Sequence, residues 1–240
     1  MASKYKFTTR DERIEKMAQD NPGRPIELCT AVVDGMWDKK RELINSHIPD
    51  RYKNASMQDL GYLEKEIFQA MTEVFDIPES NDITGIIFCG SAGSGKTHAA
   101  YALLKYIAEV NPEMIAYMTT YSQAFSSIKS EFANNSYDEM GSTWDRMNNE
   151  SGIYPGILFI DDVSAQKLTD FEIDKMMMFF ENRFNSYMPF LITTNVKLED
   201  FKTVFGPRLA SRLLGYCAIV EFEERDKRVE TNENNEENLC

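Results

Sequence analysis

Five continuous apolar runs alternate with longer amphipathic stretches between about residue 83 and residue 222. Runs of this kind are typical of strands that are buried on both faces of a parallel sheet. They lie at 83–90, 114–120, 156–161, 189–195 and 217–222. Apolar residues recur at helical spacing at 97–110, in two pieces of 121–150 and at about 170–185, where Thr169 and Glu172 predict a capping box. The alternation predicts an α/β fold with a parallel sheet flanked by helices.

The first 50 residues are more charged and less regularly patterned. Helices are expected at about 11–19 and 26–45, separated by the breaker NPGRP, and a further helix is expected at about 60–75. The chain ends in ETNENNEENLC, which predicts a disordered acidic tail. The sequence therefore divides into an N-terminal extension (1–47), an α/β domain (48–224) and a tail (225–240).

The 240-residue chain carries a net charge of −13, and 42% of its residues are hydrophobic. That content is enough for a packed core, and the acidity argues against a basic nucleic-acid coat while leaving a local basic groove open. The apolar runs are too short to cross a bilayer, and the N-terminus lacks the apolar segment of a secretion signal. The four cysteines form no CxxC pair, so no zinc site is expected. We expect a cytoplasmic protein without membrane contact.

A complete phosphate-binding motif, GSAGSGKT, follows the first predicted strand and opens the next predicted helix. The pattern G-x-x-x-x-G-K-[ST] places backbone N–H groups and a helix N-terminus around the phosphates of a nucleotide. We expect Lys96 to reach the β- and γ-phosphates and Thr97 to ligate Mg²⁺. The expected nucleotide-binding residues are Gly90, Ser91, Ala92, Gly93, Ser94, Gly95, Lys96, Thr97 and His98.

Two other predicted strands bring polar side chains to the same edge of the sheet. ILFIDD contains Asp161, which we expect to hold Mg²⁺, and Asp162, the candidate base that orients the attacking water. PFLITTN ends in Asn195, which either hydrogen-bonds that water or the γ-phosphate, or caps the next helix. These motifs predict binding of a nucleoside triphosphate, but a small-molecule kinase would share them.

The order of these motifs, with two arginines following in GPRLASRLLG, resembles the AAA+ ATPases. The stretches IPDRYKNAS, GSAGSGKTH, LFIDDV, FFENRFNSYMPFLITTN and FGPRLASRLL are similar to the DnaC/DnaI-type helicase loaders and the related IstB-type transposition ATPases. The resemblance implies a sheet ordered 5-1-4-3-2, ATP bound at a subunit boundary, and an N-terminal extension that docks a partner. Too few residues follow the fifth strand for the helical lid of AAA+ motors, so the lid is expected to be minimal or absent.

The resemblance also implies roles for arginines. By motif position, Arg212 is a finger that acts in trans on the ATP of a neighbouring subunit, and Arg208 supports it or contacts a second phosphate. The alternative is a solvated salt-bridge pair. Arg183 is also expected near the boundary. The Asp at 162, where many AAA+ enzymes carry Glu, indicates slow, partner-stimulated hydrolysis.

The implied function is ATP-dependent loading of a hexameric replicative helicase onto single-stranded DNA, by a bacterial or phage protein that self-associates through the arginine-finger interface. A transposition ATPase that recruits a transposase is the close alternative, and a P-loop kinase is a more distant one. DNA is expected along the helices between the second and third strands, although aromatic residues at helical spacing are more typical of a core. The candidate DNA contacts are Thr119, Thr120, Tyr121, Phe125 and Lys129.

Overall fold

A five-stranded sheet in which every pairing is parallel forms the centre of the molecule. A computed structural model describes residues 10–75, 82–111, 114–148, 156–163 and 168–223. The strands are β1 (Gly85–Gly90), β2 (Ile115–Thr120), β3 (Ile157–Val163), β4 (Phe190–Thr194) and β5 (Cys217–Phe222). Their order is β2-β3-β4-β1-β5. Counted from the other edge this is 5-1-4-3-2, so the predicted fold is confirmed.

The helices lie close to where the apolar spacing placed them. The predicted capping box forms, because the Thr169 N–H donates to Glu172 Oε2 (2.8 Å) and the Glu172 N–H donates to Thr169 Oγ1 (3.3 Å). In the described residues the α-helices are α1 (Arg10–Asp20), α2 (Ile26–His47), α3 (Leu63–Phe75), α4 (Lys96–Val110), α5 (Tyr121–Ala133), α6 (Thr143–Asn148), α7 (Asp170–Asn185), α8 (Phe201–Val204) and α9 (Gly206–Tyr216).

Alternate residues of β1 belong to two different cores. Ile86 and Phe88 pack with residues of α3 and α4, whereas Ile87 and Cys89 pack with residues of α5, α7 and α9. Successive side chains of a strand point to opposite faces, so this strand contributes to both layers of helices. Because both faces of the sheet are covered, its strands are continuous apolar runs rather than alternating ones.

Helices α1 and α2 form the helical N-terminal extension. Trp37 of α2 packs with Ile14 of α1 in a small cluster that, among the described residues, is distinct from the two cores of the α/β domain. Towards the end of α2, Ile44 joins the core of the α/β domain, and so does Ile48 just beyond the helix. The extension is therefore a helical hairpin with its own core at one end and an anchor in the domain at the other.

Arg183 of α7 lies in the interior, with no exposed surface. Its Nε donates to the carbonyl oxygen of Met147 (2.8 Å), and its Nη1 donates to that of Pro189 (2.9 Å). It therefore joins the end of α6 to the segment that leads into β4. The expectation that Arg183 faces a subunit boundary is wrong, because a fully buried guanidinium cannot contact a neighbour.

Two predictions concern the end of the chain. The disordered tail and the minimal or absent lid both involve residues 224–240, which lie outside the described residues. Both remain predictions. Among the helices that the structure describes, none is long and apolar enough to span a membrane.

Candidate nucleotide site

The phosphate loop connects β1 directly to α4 and depends on glycine at close approaches. Gly90 has φ 134°, and a Cβ built on it would collide with the carbonyl oxygen of Phe222 in the neighbouring strand β5. Gly93 and Gly95 have φ 81° and 99°, which L side chains rarely adopt. This backbone lets the loop turn tightly into the N-terminus of α4, where backbone N–H groups and the helix dipole favour an anion.

Lys96 points into the loop that it closes. Its ammonium donates to the carbonyl oxygens of Gly90 (3.0 Å) and Ser91 (2.6 Å), and to Ser94 Oγ (3.3 Å). Only 6% of the residue is exposed. A buried ammonium attracts an anion strongly, so this lysine is suited to bind the phosphates of a nucleotide.

Thr97 and Asp161 form an oxygen pair beside the loop. The Thr97 hydroxyl donates to Asp161 Oδ1 at 2.9 Å. Adjacent ligands of an Mg²⁺ octahedron with arms of about 2.1 Å lie about 3.0 Å apart, so the separation fits this ion. No group of three or more His, Cys, Asp or Glu side chains suited to a metal occurs in the described residues. Two protein oxygens are nevertheless a sufficient set for an Mg²⁺ that also binds substrate phosphates.

Asp162 is presented by an irregularity in the sheet. The register between β3 and β4 shifts between Ile160 and Val163, as in a β-bulge. Asp162 itself has φ 57°, and its side chain is exposed, whereas Asp161 is buried. Asn195 Nδ2 donates to Asp162 Oδ1 at 2.9 Å. The bulge thus directs one carboxylate toward Thr97 and the next toward Asn195.

Thr193 links both acidic residues, and the sequence had not indicated it. Its hydroxyl donates to Asp161 Oδ1 (2.6 Å) and accepts from the backbone N–H of Asp162 (2.8 Å). Thr193 is 1% exposed. In the sequence, a threonine in a buried strand is explained by the preference of β-branched residues for strands. Only the pairing of β3 with β4 shows that its hydroxyl supports the bulge.

We expect Thr193→Val to lower the free energy of unfolding by about 1–3 kcal/mol, because the Asp162 N–H loses its acceptor. We also expect it to raise the Mg²⁺ concentration needed for ATP binding, since Asp161 is no longer fixed. Urea unfolding and nucleotide titrations at varied Mg²⁺ measure the two effects.

The matched control is Thr194→Val. The Thr194 hydroxyl is also buried, but it bonds the carbonyl oxygen of Val163 and the N–H of Val196. This variant should lose stability without a change in Mg²⁺ dependence. Equal Mg²⁺ dependence in the two variants would contradict the role of Thr193.

His98 lies in the first turn of α4, beside an aromatic pair. Its ring is 6.5 Å from that of Tyr52, which stacks on Tyr101 at 4.7 Å. Lys105 holds the segment that carries Tyr52, because its ammonium donates to the carbonyl oxygens of Lys53 (2.6 Å) and Ala55 (2.8 Å). The segment before α3 is therefore fastened to the same helix that begins at the phosphate loop.

An open cavity of about 640 Å³ adjoins the phosphate loop. This volume lies within the range of about 300–1,000 Å³ that is usual for small-molecule sites. Its lining includes Gly90, Ser91, Lys197, Leu198, Glu221 and Phe222. The cavity therefore offers room for a ligand beside the loop, between β5 and the segment that follows β4.

Arg208 and Arg212 lie on one face of α9 and share a carboxylate. Glu181 Oε1 of α7 is 3.3 Å from Arg208 Nη2 and 3.9 Å from Arg212 Nη2. Arg212 Nη1 also donates to the hydroxyl of Tyr216 at 3.4 Å. The side chains are 78% exposed for Arg208 and 44% exposed for Arg212, so both arginines are accessible.

Arg212 is far from the phosphate loop of its own chain. A cavity beside it is lined by Asp82, Tyr187 and Tyr216, which precede β1, β4 and β5 respectively. Arg212 therefore lies at the amino edge of the sheet, whereas the loop follows the carboxyl end of β1. A six-residue strand separates these edges by about 17 Å at about 3.3 Å per residue. An arginine side chain cannot cross that distance.

Two of the candidate DNA contacts lie in the core. Tyr121 and Phe125 of α5 are 7% and 4% exposed, and their rings are 4.5 Å apart. They pack against the face of the sheet that α5 covers. The expectation that they stack on bases is corrected, because neither ring is available at the surface.

The other candidate DNA contacts remain at or near the surface. Thr119 and Thr120 are half-buried at the carboxyl end of β2, and Thr120 Oγ1 caps α5 by accepting from the Gln123 N–H (3.3 Å). Lys129 is 50% exposed and pairs with Glu172 at 3.1 Å. Burial raises the pKa of the Glu172 carboxyl, but hydrogen bonds from Thr169 and the Lys129 ammonium outweigh this and lower that pKa. A phosphate at Lys129 must therefore compete with an ionised partner.

Several solved structures have a similar fold. The DnaC helicase loader is 20% identical with a TM-score of 0.58, over 73% of this chain and 100% of that chain. DnaI is 18% identical with a TM-score of 0.57, over 74% of this chain and 95% of that chain. The replication initiator DnaA bound to AMPPCP and single-stranded DNA is 16% identical with a TM-score of 0.55, over 79% of this chain and 57% of that chain.

A family model defines the relationship more directly. No curated protein sequence matches the chain. The model described as IstB-like ATP binding protein matches residues 69–235, which is more than half of the chain. The match includes the phosphate loop, the Asp161–Asp162 pair and both arginines of α9. The chain therefore belongs to the IstB-like ATP-binding family.

Proposed function

We propose that this protein is an ATP-dependent loader of a hexameric replicative helicase, which positions the helicase on single-stranded DNA. The observation that carries the proposal is the place of Arg212 at the amino edge of the sheet, away from the phosphate loop of its own chain. An arginine in that place can reach the nucleotide of an adjacent subunit when subunits associate head to tail. The similarity of fold to the DnaC helicase loader supports helicase loading as the outcome.

In the proposed mechanism, the loop and Lys96 bind the phosphates of ATP, and the ammonium exchanges loop carbonyls for phosphate oxygens. Thr97 and Asp161 would hold Mg²⁺, which would neutralise charge on the phosphates. Asp162, oriented by Asn195, positions the attacking water and accepts its proton. Arg212 of the adjacent subunit binds the γ-phosphate with its two-pronged guanidinium, and Arg208 supports it. Hydrolysis then weakens the subunit contact.

We expect Asp162→Asn to lower the rate of hydrolysis by about a hundredfold or more, because the base is lost. Asparagine keeps an oxygen that can accept from Asn195, so the geometry of the bulge and the affinity for ATP should be preserved. Phosphate release and nucleotide titration measure the two quantities. Asp200→Asn, at an exposed position outside the site, is the control, and a hydrolysis rate like that of the control would contradict the assignment.

The N-terminal extension is the proposed contact with the helicase. Leu28, Met36 and Leu43 of α2 are 48%, 45% and 60% exposed, and at 100° per residue they lie within one stripe of the helix. Exposed apolar side chains in a stripe are typical of a helix that binds a partner. Thr119, Thr120 and Lys129 are the proposed contacts with the DNA backbone. We further propose a cytoplasmic location in a bacterial cell, including a cell infected by a phage that encodes the protein.

Co-purification with ATP and Mg²⁺ tests the proposed function. A hexameric helicase should be retained by the parent protein and lost with the double variant Met36→Asp, Leu43→Asp. Retention of a transposase and no helicase would instead support the IstB-type alternative. Transfer of phosphate to a small acceptor by a monomer would support a kinase and contradict the proposal.

A further inference from the structure

Glu181 links two helices at the place where Arg208 and Arg212 project from α9. It is a residue of α7, and its Oε1 is the shared partner of Arg208 and Arg212 on α9. Its side chain is 37% exposed. Without an anion between them, two guanidinium groups converging on one point repel each other. The carboxylate offsets that repulsion and lets both arginines approach the same position.

The surroundings of Glu181 fix this arrangement on rigid elements. Three residues along α7, the ring of Phe184 stacks on the ring of Tyr216 at 4.7 Å, with 26° between the planes. The Tyr216 hydroxyl in turn accepts from Arg212 Nη1 (3.4 Å), and the Arg212 guanidinium lies 5.8 Å from the centre of that ring. Arg212 is therefore held on one side by Glu181 and on the other by a tyrosine that α7 itself supports.

We propose that Glu181 is a positioning residue for the arginine finger, a role that rests on the proposed function. It holds the guanidinium groups of Arg208 and Arg212 close to each other. The two arginines can then contact the triphosphate of a neighbouring copy as a preformed pair. Preformed orientation reduces the rotamer freedom that two long side chains would otherwise lose on contact. The γ-phosphate, which carries more charge than a carboxylate, then becomes the preferred partner of Arg212.

The proposal predicts a defect in kcat alone. We expect Glu181→Ala to lower the kcat of ATP hydrolysis about three- to tenfold, as is usual for losing one member of a half-exposed charge cluster, with KM for ATP unchanged. Glu181→Gln keeps the shape and an acceptor oxygen and should show a smaller defect of the same kind. Asp174→Ala, an exposed carboxylate on the same helix, should leave both constants unchanged. A kcat at or above that of the parent protein in both Glu181 variants overturns the proposal.

Mixing experiments identify the side of the interface on which Glu181 acts. Glu181→Ala subunits should gain activity when mixed with Lys96→Ala subunits, which supply an intact arginine pair. They should gain none with Arg212→Ala subunits, because neither variant supplies an intact pair. Glu181→Ala subunits could instead gain activity only with Arg212→Ala subunits, while Lys96→Ala and Arg212→Ala subunits restore one another. That result overturns the role of Glu181 but leaves the proposed function intact. No restoration between Lys96→Ala and Arg212→Ala overturns both that role and the proposed function.

Discussion

Arg212→Ala is expected to lower the kcat of ATP hydrolysis by about a thousandfold, the lower end of the effect of an arginine finger. The affinity for ATP should stay the same, because Arg212 lies at the amino edge of the sheet and the phosphate loop of the same chain lies at the carboxyl edge. The loss should therefore appear in steady-state phosphate release but not in equilibrium nucleotide binding. This separation distinguishes a residue that acts on a neighbour's ATP from one that helps to form its own site.

Two variants control this prediction. Arg212→Lys keeps the charge but lacks the planar fork, so it should recover only a small part of the rate. Lys202→Ala removes an exposed charge from the adjacent helix α8 and should have no effect. Loss of any surface charge could change the rate by about threefold. If Arg212→Ala hydrolyses ATP within about threefold of the parent rate, the finger assignment is therefore wrong.

Arg183→Ala is expected to lower the free energy of unfolding by about 3–5 kcal/mol, which is the range for breaking a buried charged network. The substitution leaves the carbonyl oxygens of Met147 and Pro189 without their guanidinium partner and opens a cavity under α7. Urea unfolding followed by circular dichroism measures the loss. Nucleotide affinity in the folded fraction should be retained.

Arg24→Ala is the matched control, since Arg24 is exposed in the turn between α1 and α2. The unfolding midpoint of Arg24→Ala should equal that of the parent protein within the scatter of repeated measurements. Arg183→Ala unfolding at the same midpoint would contradict the structural role. Reduced hydrolysis with unchanged stability would contradict it as well.

The sequence predicted the parts of the protein that depend on local pattern. Continuous apolar runs located the strands because both faces of the sheet are covered, and the capping box at Thr169 located the start of α7. The phosphate loop was predictable because a strand, a glycine-rich turn and a helix must follow one another directly for the motif to work. Asp161 and Asn195 were predictable because strand ends collect at one edge of a parallel sheet.

The parts that failed or were missed depend on contacts between distant segments. Thr193 and Glu181 look like an ordinary strand residue and an ordinary helix residue, and their partners are known only once β3 meets β4 and α7 meets α9. The resemblance placed Arg183, in the ENRF stretch, near the boundary, yet three backbone carbonyl groups accept from it inside the protein. Periodicity alone did not decide whether Tyr121 and Phe125 face solvent or core.

Hydrolysis in mixtures of Lys96→Ala and Arg212→Ala subunits tests the central claim, that ATP is hydrolysed between two copies of this chain. Lys96→Ala removes the phosphate-binding ammonium, so each variant alone should be inactive. An equimolar mixture should recover up to about one quarter of the parent rate, because one in four head-to-tail contacts joins an intact loop to an intact arginine. A mixture no more active than the sum of its separate components would contradict the account.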